Sequence, residues 1–135
     1  GEAAMRLEIV TPARAAVDRA ARRIVAEGPE GHFGILPRHG DFVSALVPGI
    51  LLYEPAEGGP ERFVAVQSGT LVKCGARVRI AVGAAIESDD LAMLRDRVAG
   101  EFRRQDETER ATRTALARLE AGMFHRFRDL GGRGA

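Results

Sequence analysis

The chain contains no tryptophan, one tyrosine, one cysteine and one lysine, and aromatic residues make up only 5% of it. The single cysteine, Cys74, excludes an internal disulfide and any cysteine-rich metal site. Its neighbours Leu71, Val72, Lys73 and Gly75 read as a strand end, so Cys74 is expected to be a small half-buried residue and not a reactive thiol. With so few rings, the core must be built from Val, Ile, Leu and Ala, which suits a tightly packed sheet. No apolar run approaches the roughly 20 residues that a membrane span needs. No signal-peptide pattern is present either, so the sequence reads as cytosolic and bound to membranes only through partners. A net charge of +1 provides no bulk field to select nucleic acid or acidic lipid.

What is present is an ordinary apolar fraction of 45% in 135 residues, enough for one domain with a real core, or a small domain with an appendage. Charge is balanced along the chain: residues 1–87 carry ten basic and ten acidic groups, and residues 88–135 carry ten and nine. Arginine supplies every basic residue except Lys73. Guanidinium groups suit bidentate pairing with carboxylates, which favours acidic partners, although genomic base composition produces the same bias.

Residues 6–87 form a series of short runs broken by Gly and Pro. Arg6–Val10 stops at Thr11-Pro12, Arg22–Ala26 at Gly28-Pro29, and Phe42–Val47 at Pro48-Gly49. Ile50–Tyr53 stops at Pro55 and the Gly58-Gly59-Pro60 turn, Arg62–Val66 at Ser68-Gly69, Thr70–Cys74 at Gly75, and Arg77–Val82 at Gly83. Runs of this length at roughly 8–12-residue spacing indicate an all-β sandwich or barrel. Ala13–Ala21 has helix-forming alanines but no 3.6-residue stripe, and is read as a strand-like connection. Within this half, Glu30-Gly31-His32-Phe33-Gly34-Ile35-Leu36-Pro37-Arg38-His39 reads as a protruding turn.

Composition changes at Ser88, which is placed to cap a helix, with Asp89 and Asp90 at its positive end. Leu91, Leu94, Val98 and Phe102 fall on one helical stripe. Asp106 and Glu109 have capping-box spacing, and Ala111, Ala115, Leu116, Leu119, Met123 and Phe127 make a second stripe. Nothing between Phe102 and Ala111 forces a turn, so a hairpin and one long helix are both open to this sequence, separated by a few kcal/mol. Gly131–Ala135 reads as a disordered tail.

No catalytic centre assembles. His32 and His39 lack a third metal ligand at fixed spacing, beyond Glu30 or Asp41, and read as surface or interface histidines; a cupin-like metal- or ligand-binding β-barrel is the alternative they leave. The glycines near residues 28–40 lack a Gly-Lys-Ser/Thr continuation and read as turn residues. Ser44, Ser68 and Ser88 have no nucleophile-elbow context. The arginines of the second helix are diluted by Asp106, Glu107, Glu109 and Glu120, which favours a solvated or protein-facing surface over nucleic acid.

Taken in order, Leu7–Pro12, the Glu30–His39 motif, Leu46-Val47-Pro48-Gly49 and Ser68-Gly69-Thr70-Leu71-Val72 resemble the epsilon subunit of bacterial rotary ATP synthases, over Met5 to Phe127. The resemblance implies an all-β sandwich of two packed sheets over residues 5–87, then a C-terminal two-helix α-hairpin over 88–130, flanked by tails at 1–4 and 131–135. It implies a non-catalytic subunit, monomeric in isolation, that joins the gamma subunit in the central stalk. It further implies docking on the membrane c-ring and restraint of ATP hydrolysis through the helices, at the cytoplasmic face of the bacterial inner membrane. By position, Glu30, Gly31 and His32 would meet the c-ring, and His39 and Ser44 would approach gamma. Arg103, Arg104, Arg110, Arg113 and Arg118 would face an acidic loop on the β subunits, and the catalytic alpha/beta subunits are thus implied partners. Some relatives bind ATP through an apolar-Asp-x-x-Arg-Ala motif. Here Leu91 and Arg95 match it, while Ala92 and Asp96 depart from it, so no cofactor is expected. The helices' departures point toward the alternate ATPase branch found in some bacteria, with protons or sodium as the coupling ion.

Overall fold

A computed structural model describes the backbone of residues 4–133 and the side chains of residues 4–121. Nine strands come first: β1 (Met5–Val10), β2 (Ala15–Gly28), β3 (Gly31–Ile35), β4 (Phe42–Leu46), β5 (Gly49–Pro55), β6 (Arg62–Val66), β7 (Gly69–Cys74), β8 (Arg77–Val82) and β9 (Ala85–Glu87). Alternation sets their faces. In β1, Met5, Leu7 and Ile9 are buried, and in β8 the inward residues are Val78, Ile80 and Val82.

Strand β2 makes the sandwich. Its first half pairs with β1, and its second half pairs with β3 on one side and β5 on the other. The change of partner falls at Ala21–Arg23, where the register shifts. An extra residue there bends the strand, so one strand serves two layers. One layer runs β4-β7-β8-β1-β2, with β1 and β8 parallel, and the other runs β3-β2-β5-β6-β9. Leu7, Ile9, Ile24, Ile35, Leu51, Tyr53, Leu71 and Ile80 meet between them, all at 0–1% exposure, so aliphatic side chains do fill this core.

The segment Ala13–Ala21 is indeed largely strand, as the first half of β2 and continuous with the run at Arg22. Two strands were not legible: β9, which is three residues long, and β3, which lies inside the segment read as a turn. Cys74 is exposed, not half-buried, because β7 turns Leu71 and Lys73 inward and Thr70, Val72 and Cys74 outward.

The helical part starts with α1 (Leu91–Arg97), continues through a π-helical turn (Val98–Phe102) and runs on as α2 (Arg103–Arg133). Asp90, not Ser88, caps α1: its carboxylate accepts from the Met93 N–H at 3.1 Å, while the Ser88 hydroxyl accepts from the Asp90 N–H. Glu87 anchors the approach. It accepts hydrogen bonds from the Tyr53 hydroxyl at 3.2 Å and from Arg62 Nε at 2.8 Å. Burial, and then the Glu87 carboxylate, push the Tyr53 phenol above its ordinary range.

No turn separates two helices, so the hairpin does not form in this structure. With no Gly or Pro between Phe102 and Ala111, intrahelical bonds continue, supported by i,i+4 pairs at Arg97–Glu101, Arg110–Asp106 and Arg113–Glu109. Asp106 therefore pairs along the helix and does not cap it. Helical backbone extends through Arg133, into the segment expected to be a disordered tail; residues 134–135 and the side chains of Met123, His125 and Phe127 lie outside the described residues.

The chain divides into two compact units, one through Arg103 and one from Arg104. In the first, Leu94, Val98 and Phe102 bury against Ala65, Ile50, Phe63 and Ile86 on the outer face of β5, β6 and β9. The first helical stripe is thus satisfied by the sheet. In the second, Leu116 and Leu119 stay exposed at 54% and 66%.

Candidate partner-binding site

The segment singled out in the sequence is a strand between two turns. Gly28 pairs with Gly31, leaving Pro29-Glu30 as a two-residue hairpin loop. Gly31 sits at φ +122°, a conformation that side chains rarely adopt. Glu30, Gly31 and His32 are therefore presented at the surface. His32 stands opposite Glu27 across the β2–β3 ladder, with Nε2 and Oε2 3.7 Å apart.

Ser44 and the hairpin share a shallow groove of about 540 Å³, lined by Gly28, Glu30, His32, Phe33, Val43 and Ser44. Phe33, which lines it, packs edge-to-face on Phe42 with ring centroids 6.0 Å apart. The structure thus brings together Glu30, Gly31, His32 and Ser44. His39 does not line this groove. It belongs to the second turn, where its N–H donates to Leu36 O at 3.0 Å and its Nδ1 accepts from Leu36 N–H at 3.3 Å. The two histidines have different partners, and among the described residues no three His, Cys, Asp or Glu side chains cluster to hold a metal.

That second turn has an anchor the sequence reading missed. Lys73 is 2% exposed. Its Nζ donates to His39 O at 2.5 Å, to Gly75 O at 2.7 Å and to Pro37 O at 3.5 Å. Asp41 completes the clasp by accepting from Gly75 N–H at 2.7 Å. The signal was visible: in a chain with twenty basic residues, this is the one lysine.

Leu91 and Arg95 line a second groove of about 580 Å³ with Glu27, His32, Gly49, Phe63 and Arg103. Gly49 leaves room for the Glu27 carboxylate, since a Cβ there would lie 2.3 Å from Oε2. Ala92, at the motif's aspartate position, is exposed. Of the five arginines assigned to the catalytic subunits, only Arg103 borders this groove. Arg110 and Arg113 pair along α2 with Asp106 at 3.2 Å and Glu109 at 3.6 Å, and Arg104 and Arg118 are exposed.

Residues 4–88 match the family described as ATP synthase, Delta/Epsilon chain, beta-sandwich domain. The chain is 31% identical over 120 residues to the ATP synthase epsilon chain of Sulfurovum sp., covering 86% of this chain and 93% of that one. It is 38% identical over 119 residues to ATP synthase epsilon chain 2 of Paraburkholderia xenovorans, covering 87% and 85%. Among solved structures, it resembles a chain of the Euglena gracilis mitochondrial ATP synthase, OSCP/F1/c-ring assembly with a TM-score of 0.60. That match has 22% identity over 67% of this chain and 57% of that chain, which supports the fold alone.

Proposed function

Because the chain belongs to the ATP synthase epsilon-chain family, we propose that it is a non-catalytic central-stalk subunit whose sandwich joins the gamma subunit to the membrane c-ring and whose helix restrains ATP hydrolysis. The observation that carries this reading is that one chain combines a β-sandwich, bearing a surface hairpin and turn, with a helix whose apolar stripe is exposed at Leu116 and Leu119. Glu30, Gly31 and His32 are assigned to the c-ring, and His39 and Ser44 to gamma. Arg103, Arg104, Arg110, Arg113 and Arg118 are assigned to the acidic surface of the catalytic subunits. Among the described residues no helix is long and apolar enough to cross a membrane, which is compatible with attachment through the gamma subunit and the c-ring.

Nucleotide plays no part in this reading. Leu91 and Arg95 share a groove, but Ala92 supplies no carboxylate to a ribose or a metal-bound phosphate. Adding ATP should leave the melting temperature unchanged; a concentration-dependent rise would contradict this assignment.

The test of the whole reading is hydrolysis by the assembled enzyme containing the chain cut after Arg103. Faster ATP hydrolysis than with the full chain is expected. An unchanged rate removes the brake, and failure of the cut chain to enter the complex removes the stalk assignment.

A further inference from the structure

We infer that Lys73 is the positioning residue of the gamma-facing turn: its buried ammonium holds residues 37–41 in the shape that docks. The inference rests on the assignment of His39 to gamma made above.

Lysine is rarely buried to this degree unless its charge is met. Here it is met by carbonyls from two loops. Pro37 and His39 belong to the turn before β4, and Gly75 belongs to the β7–β8 turn. An ammonium carries three N–H donors on one atom, and three carbonyl oxygens converge on it. A planar guanidinium spreads its donors over a fork and does not suit three oxygens around a point. That accounts for the exception in a chain that otherwise uses arginine for every basic residue.

The clasp is continuous with the sheet. Gly75 donates to Asp41 at one end of the turn, and Ala76 O accepts from Arg6 N–H at 2.7 Å, tying the β7–β8 turn to β1. The Leu36–His39 contacts lie within the turn itself, and the side chains of Lys73 and Asp41 tie the turn to the sandwich. His39 is exposed and Pro37 half-buried, so water can replace the ammonium if the turn moves outward. Loss of Lys73 should therefore loosen the turn before it unfolds the sandwich.

The experiment uses the full chain and the isolated gamma subunit. Lys73→Met keeps length and removes the donors. Amide exchange at Leu36 and residues 38–41 should rise about tenfold or more while β1 and β8 exchange as before, and gamma binding should weaken about tenfold as pre-organisation is lost. Rescue separates donor chemistry from packing. Lys73→Cys in a Cys74→Ser background, alkylated with 2-bromoethylamine while unfolded and then refolded, restores an amine at the same reach and should restore both readouts. Unchanged exchange in Lys73→Met, or no rescue, overturns the inference.

His39→Ala and Ser44→Trp distinguish the two levels. If they weaken gamma binding and Lys73→Met does not, the gamma face stands and the role of Lys73 falls. If none of the three weakens it, the gamma-face assignment itself falls, and the docking role with it. Should Lys73→Met not fold, the parent chain gives the answer. Its one ε-amine should be acetylated only through the opening that exposes the turn, so acetylation and amide exchange at 38–41 share one opening constant and both slow on gamma binding. Independent rates, or no protection by gamma, overturn the inference.

Discussion

The two units of this chain are held by different kinds of interaction. Through Arg103, stability comes from contacts distant in sequence: strands β1 and β8 meet across about seventy residues, and Phe102 packs on β5, β6 and β9. From Arg104 onward, the ion pairs Arg110–Asp106 and Arg113–Glu109 and the Thr108 and Thr112 hydroxyl bonds are local, each spanning one helical turn. A body fixed by long-range packing resists deformation. A helix fixed by local pairs, with Leu116 and Leu119 uncovered, has its stability decided by what it meets. On the proposed function, rigid coupling and conformational control fall to different stretches of one chain.

The largest way to break the contrast is Gly69→Ala. A Cβ there would lie 2.0 Å from Ala81 O and 2.8 Å from Val82 Cα, so backbone must move. The cost should be about 5 kcal/mol or more, enough to leave the sandwich unfolded in a thermal melt. Next comes a matched pair. Phe102→Ala should cost about 3–5 kcal/mol, whereas Leu119→Ala should change stability by less than about 0.5 kcal/mol. Equal losses in denaturant titrations would mean that α2 is packed after all.

Smaller effects sharpen the comparison. In about 1 M salt the screening length falls to about 3 Å. The i,i+4 pairs of α2, each contributing about 0.2–0.5 kcal/mol, should weaken. Amide exchange should then rise in α2 and hold steady in β1 and β8. The smallest effect is acid sensitivity at the sandwich surface. Hydrogen bonding to Arg6, 2.6 Å away, holds the Asp18 carboxyl below the ordinary aspartate range. Its contribution is present above the unfolded value and lost as pH falls through the folded one. Asp18→Asn should lower stability slightly at neutral pH, where that contribution is present, and flatten the profile through the acid window, where the parent chain loses it. At the other extreme Tyr53, whose phenol is raised by burial and Glu87, favours folding below its ordinary value near 10 and loses that preference as pH rises through the folded value.

Much of the sandwich was legible because period-2 alternation and Gly/Pro breaks are local signals. The strand inside Gly31–Ile35 was hidden by its glycines, which mark turns more strongly than strands. The continuity of β2 was hidden by the bulge at Ala21–Arg23, since a partner change leaves no periodic trace. Hairpin or continuous helix was undecided in the sequence, and its resolution here depends on the absence of any breaker near Asp106. Of the candidate site, the exposed hairpin was legible from Glu30-Gly31, while the clasp at Lys73 depends on two loops thirty-odd residues apart in sequence.

The most direct test of the division of labour is the affinity of gamma for the chain cut after Arg103, compared with the full chain. The account predicts equal affinity, because α1 and its packing on the sheet are retained and the proposed gamma contacts at His39 and Ser44 are intact. Binding lost on truncation would contradict it, placing the attachment in the helix and leaving the sandwich without the coupling role.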